Sequence, residues 1–238
     1  MNADTLLLLA IHNHLSSTVM NGLMVFVTSL TNGGFIWILL GAVLLCNKKT
    51  RIAGLSILVA IALDSILVNL IIKPIVMRER PYLALGLSIL IKAPNGTSFP
   101  SGHSSVAFTA AAVYCMLART KFERRFRWFI LFWAFLTAFS RVYLLVHYPS
   151  DVIVGAILGV MIAPLAIVLT DSIVRALKKQ KYPDRSGFFR KFTDCLPDIP
   201  VSGSQTDETS SAASQDTDSH ETDKAASQDT DHGHINKH

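Results

Sequence analysis

Along the chain, apolar residues come in blocks separated by short polar or basic joints, without the strict alternation of half-buried strands. Five blocks, at residues 24–46, 52–72, 103–118, 127–146 and 151–170, are long enough or nearly so to cross a bilayer core, which takes about 20 apolar residues per helix. Each predicts a transmembrane helix. The third is the shortest and opens at His103, so that end is expected to dip below the headgroups. Residues 4–22, DTLLLLAIHNHLSSTVMNG, mix a leucine run with His12, Asn13 and His14, and read as an interfacial helix with Asp4 as its candidate cap. Reading that segment as a further span would make six. No basic stretch precedes the leucines, so a cleaved signal peptide is not expected. The fold class that follows is all-α: a polytopic membrane bundle of five transmembrane helices, six possible, with an N-terminal interfacial helix and a disordered C-terminal tail.

Composition supports that class. Half of the 238 residues are hydrophobic and only 16 % are charged, which excludes an ordinary soluble domain of this length. Beyond Tyr182 the character changes: the net charge is +11 over residues 1–182 and −6 over 183–238, and AASQDTD occurs at 212–218 and again at 225–231. The chain therefore divides into a membrane-embedded domain, 1–182, and a low-complexity tail, 183–238. So polar a segment buries too little apolar surface to offset its ordering entropy, so disorder is expected there, with His232, His234 and His238 solvated. Cys46, Cys115 and Cys195 have no paired spacing and predict neither a disulfide framework nor a zinc site.

The basic residues set the orientation. Lys48, Lys49 and Arg51, then Arg119, Lys121, Arg124, Arg125 and Arg127, then Arg175, Lys178, Lys179 and Lys181 mark one set of helix ends. By the positive-inside rule these ends and the tail are cytoplasmic. The N-terminus, the loop near 73–102 and the turn near 147–150 then face outward, in a multi-pass protein of the plasma membrane. Anchoring beside anionic lipid accounts for the basic clusters, and no nucleic-acid partner is expected.

Candidate chemistry lies on the outward side, where cations are not topology signals. Lys73, Arg78, Arg80, Lys92 and Arg141 fall there against few carboxylates, a combination that suits an anion such as phosphate. Interfacial snorkelling accounts for Lys92 and Arg78, but poorly for Arg141 within FLTAFSRVYLLV. In FPSGHSS, Pro100 fixes the approach to a helix, Ser101 is its candidate cap and Gly102 permits close backbone approach to a ligand. The helix N-terminus would then present free N–H groups to an anion, with His103 at its edge to give or take a proton. In SRVYLLVHYPSD, His147 precedes a helix start marked by Pro149, and Asp151 follows four residues later. A carboxylate on one ring nitrogen would fix the tautomer and leave the other nitrogen as a nucleophile. The simpler reading is Asp151 as a first-turn cap and His147 as an interfacial residue.

Taken together, KPIVMRERP at 73–81, PSGH at 100–103 and SRVYLLVHYPSD at 140–151 resemble, at every spacing, the three-part signature of the type 2 phosphatidic acid phosphatase superfamily. The resemblance covers about residues 1–175. It implies that His147 attacks phosphorus to form a phosphohistidine, that Asp151 orients it, and that His103 protonates the leaving oxygen and then activates water. It further implies that Lys73, Arg80, Ser101, Gly102 and Arg141 hold the phosphoryl oxygens, with Arg78 an accessory contact and Glu79 a balance of local charge. Positioning and electrostatics are what phosphoryl transfer requires.

Apart from the resemblance, the outward side offers only Asp4, Glu79 and Asp151 as acids, too few for a two-metal phosphatase, so no metal and no cofactor are expected. The five-span plan is similar to that of bacterial undecaprenyl pyrophosphate phosphatases, which makes a phosphorylated membrane lipid the expected partner. Phosphatidylglycerophosphate, phosphatidic acid and lipid A phosphate stay open as substrates, and the sequence carries no signal for oligomeric state. A haloperoxidase would be longer and soluble, a silent scaffold would lack a histidine, and a transporter would need a polar path at the midplane. Asp64, mid-span, is expected to face the bundle, with Asn69 on the same segment. The aromatic run at 126–135 reads as a lipid-facing or packing surface, and NGT at 95–97 matches a glycosylation acceptor by pattern.

Overall fold

The computed structural model describes residues 2–179, and all regular structure among them is helical. The expectations for the tail at 183–238, Cys195 included, lie outside the described residues. Cys46 and Cys115 are both free thiols.

Helix α1, Ala3–Leu15, forms in the first part of the segment read as interfacial, but it is capped at Ser16 and its N-cap is Asn2. Asp4 does not cap it. The carboxylate instead accepts from the Ser150 N–H and the Arg78 guanidinium in distant parts of the chain. Residues 18–22, read as part of that element, open α2, Thr18–Leu30, whose N-cap Ser17 accepts a hydrogen bond from the Met20 N–H at 3.2 Å.

The block read as one span at 24–46 is two helices. α2 stops where Gly33 and Gly34 take positive φ of 60° and 76°, a left-handed turn that glycine adopts at little cost. α3, Phe35–Leu45, leaves at 43° to it. The next helix, α4, Arg51–Ser65, continues through a π-helical stretch, Ile66–Ile72, into the short α5, Lys73–Val76. Pro74 accounts for the widened turns: it has no N–H to give to the carbonyl four residues back, and its ring crowds that carbonyl. After α6, Pro81–Ala84, the chain is irregular to Ser101, and α7, Gly102–Leu117, follows. α8, Lys121–Tyr143, starts six residues before its predicted block because Thr120 and Glu123 form a capping box. α9, Pro149–Lys179, runs past its predicted end and carries Pro164 inside.

Two stretches, Arg51–Ala84 and Pro149–Leu177, are long and apolar enough to cross a bilayer, and the bent pair α2 and α3 makes a third. At 16 residues α7 is shorter. It is also the central helix, packed against α9, α8 and α4. Ala107, Ala110 and Ala111 are fully buried on it, small residues of the kind that let membrane helices approach closely. A Cβ on Gly155 of α9 would lie 2.6 Å from the Ser101 carbonyl, and one on Gly159 would collide with the Ser105 carbonyl. This backbone contact holds the N-terminal ends of α7 and α9 together. Phe129, Phe132, Phe135, Leu165 and Val168 are exposed on the outer faces of α8 and α9, as lipid-facing residues would be. Asp64 faces the bundle, fully buried, accepting hydrogen bonds from the Ser105 and Thr109 hydroxyls.

Candidate active site

The third motif folds first as a break. α8 ends after Tyr143, Leu145 takes a positive φ of 60°, and the Val146 and His147 amides both donate to the Arg141 carbonyl at 3.2 Å. This loop brings His147 back beside the end of α8. Pro149 then starts α9, and Asp151 in its first turn accepts from the Tyr148 N–H at 2.9 Å. Asp151 thus does cap the helix start, as the simpler reading held, and it also faces the imidazole. His147 Nδ1 lies 3.7 Å from Asp151 Oδ2, within ion-pair range but longer than a hydrogen bond. On the other side of the ring, Nε2 lies 3.3 Å from Arg80 Nη1. Nδ1 faces the carboxylate and Nε2 faces the guanidinium, the orientation that leaves Nε2 able to act as a lone-pair donor.

Arg80 is held by backbone carbonyls. Its Nε donates to Gly96 at 2.9 Å, Nη1 to Val146 at 3.0 Å and Nη2 to Asn95 at 3.1 Å. The NGT segment, read as a glycosylation pattern, therefore supplies two of the three carbonyls that aim Arg80. Arg141 donates to the Thr28 hydroxyl of α2, while its buried Nε has no hydrogen-bond partner among the described residues. Both arginines are 3 % exposed, and among the described residues no carboxylate pairs with either. Buried cations without a counter-charge are costly, so this donor set fits an anion.

The second motif completes the enclosure. Ser101 is the N-cap of α7, its side chain accepting from the Ser104 N–H at 3.5 Å, and its own N–H donates to the Asp151 carbonyl at 3.0 Å. A Cβ on Gly102 would stand 3.8 Å from both Lys73 Nζ and Asn69 Oδ1, so the lysine lies beside the helix's first turn. His103 is within electrostatic reach of Arg141, His147, Lys73 and Arg80. The eight residues given catalytic or phosphate-holding roles by the resemblance thus gather around the N-terminal ends of α7 and α9. Glu79 and Lys92 stay exposed outside the cluster. No group of three His, Cys, Asp or Glu side chains among the described residues is arranged to hold a metal.

Burial pushes the His147 imidazole down to about 3; Asp151 opposes that, and Arg141 and Arg80 reinforce it. A ring so depressed is neutral at physiological pH.

Five contributors lie outside the motifs. Ser98 donates its hydroxyl to Asp151 Oδ2, Thr28 receives Arg141, the Asn95 and Gly96 carbonyls hold Arg80, and Asp4 accepts from Arg78. Asp4 carried a signal as a rare acid on the outward side, and Asn95 and Gly96 stood out only as part of a glycosylation pattern, for another reason than the one the fold gives them.

The family model of the PAP2 superfamily matches residues 53–175. The chain is 30 % identical to an undecaprenyl-diphosphatase of Sulfolobus acidocaldarius over 65 % of its own length and 73 % of that protein. It is also 30 % identical to undecaprenyl-diphosphatase BcrC of Bacillus subtilis, over 65 % of its own length and 77 % of the relative. A solved transmembrane phosphatidylglycerolphosphate phosphatase from Bacillus subtilis superposes with a TM-score of 0.60 at 27 % identity, covering 72 % of this chain and 86 % of that one. With that match across its bundle and its site, the chain belongs to the PAP2 superfamily and is a membrane-embedded lipid phosphatase of that superfamily.

Proposed function

We propose that the protein hydrolyses undecaprenyl pyrophosphate to undecaprenyl phosphate at the outer face of the plasma membrane, through a phosphohistidine on His147. The observation that carries the reading is the pair of buried, carboxylate-free guanidiniums, Arg80 and Arg141, gathered with one neutral buried imidazole. In the first step His147 Nε2 bonds to the terminal phosphorus, the bond to the bridging oxygen breaks, and His103 gives that oxygen its proton. In the second, His103 takes a proton from water, the hydroxide oxygen bonds to phosphorus and the N–P bond breaks, releasing inorganic phosphate. Lys73, Arg80, Arg141, Ser101 and the Gly102 N–H stabilise the phosphoryl oxygens as charge spreads over them. Three cations supply the neutralisation that metal ions provide elsewhere, so the reaction runs without a metal.

The preference for a polyprenyl pyrophosphate draws on the names of the two relatives at 30 % identity. Five spans, with α7 and α8 as the spans beyond the three strongest candidates, leave the N-terminus and the site outside and the tail in the cytoplasm. Wild-type protein and His147→Ala, purified in detergent with EDTA, are to be compared for phosphate release from undecaprenyl pyrophosphate, phosphatidylglycerophosphate, phosphatidic acid and lipid A. Release by wild type alone, fastest from the first, is expected. Equal release by both would overturn the assignment of His147, full loss in EDTA would overturn metal independence, and a different ranking would replace the substrate.

A further inference from the structure

Asp151 is the point where the nucleophile's surroundings meet a second network, one that ties the first and third motifs to Asp4 of α1. Arg78 Nη1 donates to Asp151 Oδ1 at 2.6 Å and to the Ser150 hydroxyl at 2.7 Å. Its Nη2 donates to Asp4 Oδ2 at 2.8 Å, and its guanidinium lies 4.0 Å over the Tyr148 ring. Asp4 closes the circuit by accepting from the Ser150 N–H at 2.9 Å and from the Ser150 hydroxyl. One guanidinium therefore bridges two carboxylates, one on the interfacial helix and one beside the catalytic imidazole. The Asp151 side chain is fully buried, while those of Arg78 and Asp4 are 30 % and 19 % exposed, so the bridge lies mostly out of water, where charge-assisted bonds count for more.

The geometry also says why this arrangement is needed. Asp151 Oδ1 is held by Arg78, and Oδ2 by the Ser98 hydroxyl and the Tyr148 N–H. Among the described residues nothing else holds Oδ1, and Oδ2 must stay free enough to face His147 Nδ1. Arg78 in turn sits on a short irregular segment between α5 and α6, so its side chain needs a second anchor to hold a fixed direction. Asp4 supplies it. Leu8 of α1, fully buried against Val142 and Leu145, seats that helix on the loop carrying His147, while Leu6 and Leu7 stay more than half exposed.

We infer that Asp4 and Arg78 are positioning residues for the reaction: α1 docks Asp4 onto Arg78, which fixes Asp151 and through it His147. The inference rests on the proposed phosphohistidine reading. Among the described residues neither side chain hydrogen-bonds or ion-pairs with a phosphate-holding group, so both act on kcat and leave KM alone.

Asp4→Asn and Arg78→Gln, with Arg78→Lys as the variant that keeps the charge, are to be assayed on undecaprenyl pyrophosphate in the wild-type and Asp151→Asn backgrounds. Partners that orient a reacting imidazole typically change activity by about 10–100-fold, so kcat is expected to fall about tenfold in Asp4→Asn and Arg78→Gln, with KM unchanged. In the Asp151→Asn background neither substitution lowers kcat further, because the residue they act through is already lost. Undiminished kcat, a loss confined to KM, or full additivity on Asp151→Asn would overturn the inference. The same variants are melted in detergent, where the coupling of Asp4, Arg78 and Asp151 is read in Tm without substrate. Coupled melting with an inactive wild type would overturn the phosphatase reading and keep the network. Uncoupled melting with an active wild type would overturn the network alone.

Discussion

The proposed nucleophile, His147, can attack only while Nε2 is unprotonated, and its surroundings decide over which pH range that holds. Burial, with Arg141 and Arg80 alongside, depresses the imidazole to about 3, so its neutral fraction stays near unity well below the ordinary imidazole value of about 6.5. The proton that would stop the reaction is gained as pH falls through the depressed value, so the acid limb that His147 imposes on kcat/KM lies far below 6.5. The substrate's own phosphate titrates near pH 6, so profiles are to be taken on two lipids whose phosphates differ in pKa. A limb that follows the lipid belongs to the substrate; one fixed near 6.5 for both would contradict this environment. At this scale the motifs were legible because phosphoryl transfer demands particular residue types at fixed spacings. The Asn95 and Gly96 carbonyls that aim Arg80 were not, since every residue has a carbonyl and only the path of the loop selects these two. Thr28 was hidden for a related reason: a hydroxyl in an apolar helix usually bonds its own backbone, and its service to Arg141 depends on how α2 meets α8.

The site is as good as the seam between α7 and α9. Gly159 has no room for a side chain: its Cβ would meet the Ser105 carbonyl and lie 2.8 Å from the Thr109 nitrogen, all on the α7 backbone. Gly159→Ala must push α7 away, and overpacking of this kind costs about 1–3 kcal/mol. A lower Tm in detergent is expected together with lost activity, because Ser101 and His103 travel with α7. Gly22→Ala, where nothing lies within 4 Å, should leave both unchanged. If Gly159→Ala melts and turns over like the wild type, the seam does not hold the site. Hydrophobic length located all five apolar blocks. It missed the bend at Gly33 and Gly34, since a pair of glycines inside an apolar run does not declare whether the run continues through it. It also missed the early start of α8, where the Thr120 capping box outweighs the charged first turns.

For the whole molecule, the basic ends of the helices and the outward cations predict opposite faces. With Cys46, Cys115 and Cys195 replaced, a single cysteine at the exposed Lys92 should react with an impermeant maleimide added to intact cells, and one at the exposed Arg125 only after lysis. The reverse pattern would turn the site to the cytoplasm and remove the argument for an outward-facing substrate. The membrane class, the helical fold and the order of the motifs were legible from the chain. The docking of α1 onto the site was not, because Asp4 and Arg78 are 74 residues apart and only the folded bundle makes them neighbours.

The central claim is covalent transfer to one histidine. Wild-type protein is to be mixed with undecaprenyl pyrophosphate labelled with 32P at the terminal phosphate, quenched in alkali within the first turnover, and digested for peptide mapping. Label on the peptide that contains His147, absent from His147→Ala, is the predicted result. Turnover that continues with no labelled peptide, or with label on another residue, would contradict it.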